Sequence, residues 1–541
     1  MYILMKELRD ELNKYSKVFI YGAGYYASVI YQALKKVGLK DKIFSFFVTN
    51  LNEVKAIDGI TVRAASELAS YYEKNCIILL ALNRENEREV VQLLKEKYGL
   101  TEGIKLLDYI VKEEELYERL IVEPNDRFIE KVLGYYIWNH AHSIAELKEK
   151  WTQAENSIKR RERLETDKKT IVYISGDLKP RSKKIISALV RKNYHIVVLE
   201  YAFINDLIRT EIMSEDVDFF HCQDIIEVLY RALQYKPLVY YFEPDWGDCI
   251  GTEIMIRHNN LFGKIVFAAY DVLNDGFVQI SEKDKLTEKY CLENADGIVW
   301  RWFSKEYLEE KKGFVYKGKS IQFVDCCKGF DIKLNSKLDD RVKLCFVLTR
   351  MYGFLDETFY NNDGIFNESA RIDTILAKLG NRNDCLFHIF IGQCDNSDRE
   401  KIEILEKKYT NFKAFYGMRY SELINKISEY DYGCFLMTGG KDIPELESLD
   451  NMYYGSVHIN SVSNRFFDYL DANLPIISTT SKKLCEYLEK YGVVIKMDLS
   501  NLDIDYLKKH KMFYKKNVEK AKEELLIETQ ITRLIDWFNE L

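Results

Sequence analysis

Hydrophobic residues in this chain recur as short apolar runs, each followed by a turn and then by a stretch with helical spacing. In the first part of the sequence the apolar runs lie at residues 18–24, 42–48, 76–83 and 104–110. Short buried strands that alternate with helices build a parallel sheet covered on both faces. The pattern therefore predicts a Rossmann-like α/β domain over residues 1–122.

Residues 123–168 show no strand pattern. Their composition favours helix, and the stretch carries a charged run at residues 159–163. A segment without apolar runs of strand length shows no pattern that indicates a buried strand. We therefore expect a helical connector here.

Two further series of apolar runs follow. One spans residues 170–326 and the other residues 342–497, and each continues the alternation of strand and helix. An amphipathic helix is predicted near the C-terminus. The pattern therefore predicts three Rossmann-like domains, with the second over residues 169–338 and the third, including the C-terminal helix, over 339–541.

Length and composition also predict several folded domains. The chain has 541 residues, of which 47% are hydrophobic and 30% are charged. A single hydrophobic core stops growing at about 250–300 residues, so a chain of this length needs more than one. The formal net charge of −7 argues against a nucleic-acid-binding protein, for which a basic chain is expected.

The cysteines and the apolar segments indicate the cellular compartment of the protein. Eleven cysteines are scattered singly except for the adjacent Cys326 and Cys327, which favours reduced thiols in a cytosolic compartment. The N-terminus carries charges where a signal peptide needs an apolar run, and no apolar run is long enough to span a bilayer. We therefore expect a cytoplasmic protein.

The third domain carries several ordered motifs. They are Phe415-Tyr416-Gly417, Glu422-Leu423, Asp431-Tyr432-Gly433, Asn464-Arg465-Phe466-Phe467-Asp468-Tyr469-Leu470 and Pro475. Their order and spacing resemble the donor-binding domain of GT-B glycosyltransferases, in particular the retaining group called family 4. Residues 293–314 and 323–331 resemble further segments of that family, so the resemblance covers residues 170–541.

The resemblance implies that the second and third domains form a GT-B pair and that the donor is a nucleotide-diphosphate sugar. It also implies donor-binding roles for residues at strand ends and along the helix that begins near Asn464. These residues are Arg350, Tyr416, Gly417, Asn464, Arg465 and Asp468.

Elementary chemistry supports a role for three of these positions. A helix that begins near Asn464 presents backbone N–H groups and a positive dipole end to a diphosphate. Arg465 adds a cation that binds phosphate in a bidentate way. Asp468 lies one turn further, where the family places a Glu that accepts hydrogen bonds from ribose hydroxyls. The alternative for Asp468 is a solvated carboxylate on a helix.

The chain departs from the family pattern at three positions. The earlier of the family's two Glu residues falls at Asn460, the Gly before the proline is Asn473, and the Gly of an opening Gly–Arg pair is Thr349. Arg350 keeps the cation that GT-B proteins place against the β-phosphate. The departures leave open whether the reaction retains or inverts the configuration of the sugar.

The acceptor side also leaves alternatives open. The loop after the first strand contains Gly176, Lys179 and Arg181, which either contact a phosphate or an acceptor or form a solvated basic loop. Ligands of open α/β sheets bind beyond the carboxyl ends of strands. The carboxylates near strand ends are Glu243, Asp245, Asp248 and Asp271. Asp271 and Asp245 are the candidates for a catalytic base if the reaction inverts.

No metal or cofactor is expected to be required. The Asp-x-Asp motif at residues 216–218 leads into a strand, and no cluster of Asp, Glu and His has metal-ligand spacing. His221, which also ends a strand, is expected to be structural. The sequence therefore predicts a metal-independent enzyme in which cations stabilise the leaving diphosphate.

Gly22-Ala23-Gly24 in the first domain lies between an apolar run and a helical pattern. This arrangement resembles the turn of dinucleotide-binding folds. The acidic residue expected about 20 residues later is missing, because the second apolar run ends at Asn50. Gly22 and Gly24 therefore either form a nucleotide-binding turn or belong to a domain that stabilises an assembly such as a homo-oligomer.

The function predicted from these residues is transfer of a sugar from a nucleotide-diphosphate sugar to a glycan, a lipid-linked acceptor or a protein. Synthesis of a bacterial surface polysaccharide or glycoconjugate is the expected setting. Two alternatives stay open. One is a nucleotide-sugar epimerase, and the other is a non-catalytic GT-B-like scaffold that binds nucleotide sugars or partner enzymes.

A set of basic residues predicts peripheral contact with the inner face of a membrane. Each cation near an anionic surface contributes about 1 kcal/mol to binding. The alternative is that these residues are solvated positions on a helix and a loop. The residues are Lys159, Arg160, Arg161, Arg163, Lys168, Lys169, Lys179, Arg181, Lys183 and Lys184.

Overall fold

The structure is a computed structural model that describes most of the chain. The residues outside the description are 1, 4, 52–54, 83, 102–103, 106–109, 112, 123–127, 141–143, 162–167, 202–205, 245–248, 259–260, 270–271, 276–280, 301–303, 331–339, 351–371, 395, 437–463, 479–486 and 498–501.

The first series of elements has eight short strands and seven helices in the described residues. The strands are β1 (Tyr2–Ile3), β2 (Lys17–Tyr21), β3 (Ile43–Val48), β4 (Ala56–Ile57), β5 (Ile60–Ala64), β6 (Cys76–Leu80), β7 (Ile104–Lys105) and β8 (Ile110–Val111). The helices are α1 (Met5–Leu12), α2 (Tyr25–Lys36), α3 (Ala65–Tyr71), α4 (Arg84–Tyr98), α5 (Glu113–Val122), α6 (Phe128–His140) and α7 (Ile144–Arg161). A 3-10 turn covers Lys40–Lys42.

The second series runs from β9 to β15. Its strands are β9 (Thr170–Ser175), β10 (His195–Glu200), β11 (Val217–His221), β12 (Val239–Glu243), β13 (Lys264–Ala269), β14 (Gly297–Trp300) and β15 (Lys319–Gln322). Its helices are α8 (Pro180–Arg191), α9 (Asp206–Ile212), α10 (Ile225–Ala232), α11 (Ile250–His258), α12 (Glu282–Asn294) and α13 (Ser304–Lys312), with a 3-10 turn at Leu273–Asp275.

The third series completes the chain. Its strands are β16 (Val342–Arg350), β17 (Cys385–Gln393), β18 (Phe412–Tyr416), β19 (Tyr432–Phe435), β20 (Ile476–Ser478) and β21 (Val494–Lys496). Its helices are α14 (Ile372–Leu379), α15 (Asn396–Lys408), α16 (Tyr420–Ile427), α17 (Asn464–Asp471), α18 (Ile504–Leu525) and α19 (Ile527–Glu540).

Each series forms one main sheet. The orders are β4–β5–β3–β2–β6–β7, then β11–β10–β9–β12–β13–β14–β15, then β18–β17–β16–β19–β20–β21, and every described pairing within these sheets except β4 with β5 is parallel. β1 and β8 pair antiparallel as a separate two-stranded sheet. Each chain segment starts at the middle of its sheet, winds to one edge and then returns to fill the other side. The predicted α/β class with Rossmann-type sheets is confirmed.

The strand order marks where ligands bind in such sheets. It reverses between β2 and β6 in the first sheet, between β9 and β12 in the second, and between β16 and β19 in the third. In open α/β sheets the ligand crevice lies beyond the carboxyl ends of the strands at this point of reversal. Residues that end these six strands are therefore the first place to look for a site.

The apolar runs form strands that are covered on both faces. Along β16, Val342, Leu344 and Phe346 pack into one core, whereas Cys345 and Val347 pack into another. Side chains of a strand alternate between the two faces of a sheet, so an uninterrupted apolar run indicates burial on both sides. This is why the sequence pattern reads as continuous runs rather than as alternation.

The chain packs as two compact units. The first contains residues 1–167, 222–236 and 253–262, and the second contains residues 168–221, 237–252 and 263–541. The second and third sheets therefore belong to one unit. The limits of the three domains predicted from the sequence stay a prediction.

Two chain segments connect the second and third sheets inside the second unit. Residues 323–329 lead from β15 towards β16, and the junction of α18 and α19 leads back. The segments bond to each other, because Cys327 N donates to Leu525 O at 2.9 Å and Ile527 N donates to Cys327 O at 2.9 Å. The polypeptide thus crosses between the two sheets twice at one place.

Helix α19 packs on the second sheet after this return. Trp537 and Phe538 lie in the same core as Tyr241 of β12. A Cβ atom at Gly297 of β14 would lie 2.6 Å from the Trp537 ring, so the close approach requires glycine there. The C-terminal helix is consequently part of the core of the second sheet, although it follows the third sheet in sequence.

Candidate functional site

Helix α17 follows β19 and is fixed against the point of reversal of the third sheet. A Cβ atom at Gly433 would lie 2.3 Å from the ring of Tyr469, so the helix approaches β19 as closely as glycine allows. The buried Tyr469 hydroxyl donates to Cys434 O at 2.7 Å and accepts from Val347 N at 2.9 Å. One side chain of α17 therefore joins it to both central strands, β19 and β16.

The C-terminal end of α17 explains one departure from the glycosyltransferase pattern. Asn473, at the position where the family has Gly, adopts a φ of +58°, and Leu474 N donates to Tyr469 O at 2.8 Å. A positive φ at this point ends a helix, and Asn is among the few other residues that tolerate it. The substitution therefore preserves the turn.

Arg465 and Asp468 lie one turn apart on α17. The Arg465 guanidinium lies 5.8 Å from the ring centroid of Phe435, at the end of β19, and burial lowers its pKa. Asp468 is half-buried and accepts a hydrogen bond from the Tyr420 hydroxyl at 2.7 Å. Burial raises the pKa of Asp468 to about 6, because it disfavours the charged carboxylate. Asp468 is therefore not a freely solvated carboxylate.

Lys184 of α8 faces this cluster from the second sheet's side of the same unit. Its buried Nζ lies 3.3 Å from an oxygen of Asp325 and donates to Cys326 O at 2.8 Å. Burial by itself would lower the pKa of Lys184, but the charges of Asp325, Asp468 and the buried Asp471 outweigh it, so the pKa is raised. Lys184 therefore bonds α8 to residues 325–326, and its charge interacts with the carboxylates of α17.

Tyr420 was missed in the sequence, and Lys184 was noted there only as one of the basic residues considered for membrane contact. The ring centroid of Tyr420, in the first turn of α16, lies 6.0 Å from Lys184 Nζ and 5.7 Å from the ring of Phe330. Tyr420 stands directly before the Ser-Glu-Leu stretch of the recognised motif. Its position beside that motif was the one sequence feature that could have pointed to a role for Tyr420. A tyrosine at the start of a helix does not by itself indicate a binding site.

The basic loop predicted after β9 is partly helix in the structure, and contact of its residues with a phosphate or an acceptor stays a prediction. Arg181 lies inside α8 with 2% of its surface exposed, and its NH2 group donates to Phe323 O at 2.8 Å. Lys179 occupies the N-cap of α8, where its backbone N donates to Ser182 Oγ at 3.1 Å, and Gly176 is buried. Arg181 is therefore a buried packing residue and not part of a solvated loop.

A row of polar residues ends four neighbouring strands of the second sheet. The strand register pairs His221 with Glu200, Glu200 with Ser175, and Ser175 with Glu243. Glu200 and Glu243 are buried, and Glu243 accepts from the hydroxyls of Tyr173 and Ser182. The second oxygen of Glu243, Oε1, has no hydrogen-bond partner among the described residues.

Glu243 therefore places a buried carboxylate at the point of reversal between β9 and β12. The sequence showed it as one of several carboxylates near strand ends, but gave no reason to prefer it. His221 Nδ1 lies 3.8 Å from Glu200 Oε2. Asp245 and Asp271, the two candidates for a catalytic base, lie outside the described residues, as does Asn460.

The sheet order separates part of the predicted donor site. Tyr416 ends β18, an edge strand, Gly417 follows it, and β17 and β16 lie between β18 and β19. Gly417 has a φ of +60° and its N donates to Ile391 O at 2.9 Å, so it makes the turn after the strand. The ring of Tyr416 lies 4.8 Å from Arg399 Cζ. The structure therefore brings Arg465 and Asp468 together, with Tyr416 and Gly417 three strands away from β19.

Arg350 occupies the last position of β16. Its backbone pairs with Gln393 of β17, which puts the residue at the carboxyl end of a central strand, and its side chain lies outside the description. Asn464 begins α17, as the sequence predicted. Donor contacts of these residues stay a prediction.

Gly22 and Gly24 lie at the point of reversal of the first sheet. Gly22 has a φ of +123°, and a Cβ atom there would lie 2.6 Å from Ala81 O, so the turn requires glycine. Gly24 occupies the N-cap of α2, and a Cβ atom there would meet nothing within 4 Å. The turn has the predicted form, and nucleotide binding by it stays a prediction.

The basic surface predicted for membrane contact is largely engaged inside the fold. Lys184 and Arg181 are buried, Lys168 forms an ion pair with Asp216, and Lys183 forms one with Glu211. The side chains of residues 159–163 lie outside the description. The part of this surface that the structure describes is therefore not a free basic face.

The described residues contain neither a cluster of metal-binding side chains nor a helix that could span a membrane. No group of three or more His, Cys, Asp and Glu side chains lies close enough together to hold a metal ion in this part of the chain. Of the helices that the structure describes, none has the length and apolar composition to cross a membrane.

Comparisons with known proteins give structural similarities only. No protein-family model and no curated protein matches the chain. A similar solved structure is HepE from Anabaena in complex with UDP and glucose, at 11% identity and a TM-score of 0.46, covering 69% of this chain and 100% of HepE.

Two other similar structures cover the same share of the chain. The lipopolysaccharide outer core galactosyltransferase WaaB in its apo form is 10% identical with a TM-score of 0.41, over 69% of this chain and 100% of WaaB. TarM is 8% identical with a TM-score of 0.45, over 69% of this chain and 99% of TarM.

Proposed function

We propose that residues 170–541 form a GT-B glycosyltransferase that transfers a sugar from a nucleotide-diphosphate sugar to a glycan, a lipid-linked acceptor or a protein. The observation that carries the proposal is helix α17. It begins at Asn464, is fixed at the point of reversal of the third sheet, and presents Arg465 and Asp468 one turn apart. These residues also belong to the motif that resembles the donor-binding domain of family 4.

In the proposed complex the N-terminus of α17 and Arg465 face the diphosphate. Backbone N–H groups at a helix start and a guanidinium both favour phosphate oxygens. Asp468 accepts hydrogen bonds from the ribose hydroxyls, and Tyr420 holds its carboxylate by the 2.7 Å bond. Arg350, at the end of β16, is the expected second cation against the β-phosphate.

The acceptor is proposed to bind beyond the carboxyl ends of the second sheet. If the reaction inverts, a carboxylate takes the proton of the acceptor hydroxyl while that oxygen forms a bond to the anomeric carbon. The bond between this carbon and the diphosphate oxygen breaks, and the diphosphate leaves with the electron pair. Asp271 and Asp245 are the proposed bases, and the buried Glu243, which precedes Asp245 closely in the sequence, is a third strand-end carboxylate.

A panel of nucleotide-diphosphate sugars tests the proposal against its two alternatives. With the full chain, release of nucleoside diphosphate together with a glycosylated product supports transfer. Conversion of the donor into a stereoisomer without release of diphosphate would show an epimerase. Donor binding without any turnover over the whole panel would show a non-catalytic scaffold.

The activity is expected to persist in EDTA. The proposal assigns the charge of the leaving diphosphate to Arg465, Arg350 and the start of α17, so no step requires a divalent cation. Turnover measured with and without EDTA checks this prediction. Complete loss of activity, restored by magnesium or manganese, would contradict the metal-independent mechanism.

A further inference from the structure

Helix α18 leaves two adjacent large apolar side chains in solvent. Met512 is 73% exposed and Phe513 is 61% exposed. Among the large hydrophobic side chains that are exposed in the described part of the chain, Met512 is the most exposed, and these two form the only consecutive pair. Single exposed apolar residues are ordinary, but an adjacent protruding pair indicates a contact surface.

Exposed lysines surround this pair. Lys508 and Lys509 lie one turn before Met512, and Lys516 lies one turn after it, on the same exposed face of the helix. Neither Lys509 nor Lys516 forms an ion pair with any carboxylate that the structure describes. The face therefore combines two exposed apolar side chains with neighbouring lysine charges.

The opposite face of α18 is held in the fold. Ile504, Leu507 and Val518 are buried against the third sheet, and Lys511 forms an ion pair with Asp431. The alternation of buried and exposed positions fixes which side chains point outward. Met512, Phe513 and the exposed lysines are thus presented by a rigid element rather than by a loop.

We propose that Met512, Phe513, Lys508, Lys509 and Lys516 form a docking surface for an anionic lipid membrane. The inference goes beyond the proposed function and does not depend on it. Apolar side chains insert at the boundary between headgroups and acyl chains, while lysines beside them bind anionic headgroups. The surface is distinct from the basic residues of 159–184 considered in the sequence.

The chemistry of this surface favours a membrane over a second copy of the chain. An isologous contact centred on Met512 and Phe513 would place Lys508 and Lys509 of one copy near Lys516 of the other, and like charges at an interface are unfavourable. Long lysine side chains can instead extend along the membrane interface while their charges stay in water. Acidic residues bound the surface, with Asp505 before it and Glu519 after it.

Vesicle sedimentation of the full chain tests the proposal. Wild-type protein should bind vesicles of phosphatidylglycerol and phosphatidylcholine and should not bind phosphatidylcholine vesicles. Replacing both Met512→Ser and Phe513→Ser should weaken binding at least about tenfold, because the inserted apolar surface is lost. The pair Lys509→Gln and Lys516→Gln should weaken it by roughly tenfold or more and reduce its dependence on salt.

Two matched variants control for general changes in surface polarity and charge. Leu286→Ser removes an apolar side chain that is 66% exposed on α12, and Lys74→Gln with Lys95→Gln removes two exposed lysines of the first series. Both should leave vesicle binding unchanged. The proposal is overturned if the wild type does not bind anionic vesicles, if the α18 variants bind as the wild type does, or if the controls weaken binding equally. Association with an acidic protein in place of vesicles would also overturn it.

Discussion

At the scale of residues, Arg465 carries the most direct test of the donor site. Replacing Arg465 with Ala should weaken nucleoside-diphosphate binding by about 1.5–3 kcal/mol, because a charge-assisted contact to phosphate is lost. Arg350→Ala should have a similar effect. Calorimetry with the full chain and a panel of nucleoside diphosphates measures both.

Arg382→Ala is the matched control for these variants. Arg382 precedes β17 at the amino end of the same sheet, where it bonds to Asp384. This variant should bind nucleotide as the wild type does. If Arg465→Ala and Arg350→Ala also bind nucleotide as the wild type does, the proposed donor site on α17 is wrong.

The raised pKa of Asp468 predicts that donor binding depends on pH. Burial raises the pKa of Asp468 to about 6, and ribose hydroxyls need the ionised carboxylate as an acceptor. As pH falls from neutral through about 6, the carboxylate gains a proton, so affinity should fall. Asp468→Asn should bind weakly at neutral pH and lack this part of the pH dependence.

The ratio of the wild-type affinity to the Asp468→Asn affinity isolates the contribution of the Asp468 carboxylate to binding. Titration of the ligand's own phosphate affects wild type and Asp468→Asn alike, so it cancels when calorimetric affinities are compared at each pH. The expected ratio is large at neutral pH and shrinks towards acid pH. A ratio that stays constant across this range would show that Asp468 does not contact the ligand.

The sequence located candidate residues but not their environments. Arg181 and Lys184 were seen as members of a basic loop, whereas they bond to Phe323 and Cys326, each 142 positions away in sequence. Local pattern carries no information about such distant partners. The link between Asp468 and Tyr420 spans 48 positions and was missed for the same reason.

At the scale of elements, the close packing of α17 on β19 depends on Gly433. In Gly433→Ala the new Cβ atom would overlap the ring of Tyr469, which lies 2.3 Å from that position. The helix must then move or the ring must leave its bonds to Cys434 and Val347. We expect a loss of stability of about 1–3 kcal/mol or more, together with weaker nucleotide binding.

Thermal unfolding and calorimetry measure these two effects. Gly24→Ala serves as a comparison, because a Cβ atom there meets nothing within 4 Å and the backbone φ is −91°. It should change stability far less than Gly433→Ala does. Equal effects of both substitutions would mean that contact between Gly433 and Tyr469 does not position α17.

Strand existence could be predicted, but strand order could not. Apolar runs in the sequence correspond to most strands of the three sheets, because most parallel strands are buried on both faces, whereas β4 and β5 follow no predicted run. Pairing of strands depends on long-range packing, so the position of Tyr416 at the end of an edge strand could not be predicted from the sequence. Asn473 shows the reverse case, since its tolerance of positive φ can be read from residue type alone.

At the scale of the whole molecule, residues far apart in sequence share a compact unit. Residues 222–236 and 253–262 group with residues 1–167. Within this unit the ring of Tyr230 stacks on that of Tyr136, with their centroids 3.8 Å apart. The ring of His258 stacks on that of Phe128, with their centroids 3.9 Å apart. The sequence assigned these two segments to the second domain, because they stand between its strands.

This grouping shapes the last prediction, which concerns a chain that begins at Lys168. Every donor residue proposed here lies at position 350 or later, so the shortened chain should bind nucleoside diphosphate with the affinity of the full chain. It should also unfold at a lower temperature, because Tyr230 and His258 lose the rings on which they stack. Calorimetry and thermal unfolding separate the two effects, and Arg465→Ala in the shortened chain should reduce affinity as it does in the full chain. A shortened chain that unfolds cooperatively yet fails to bind a nucleotide that the full chain binds would place the nucleotide site in the first 167 residues.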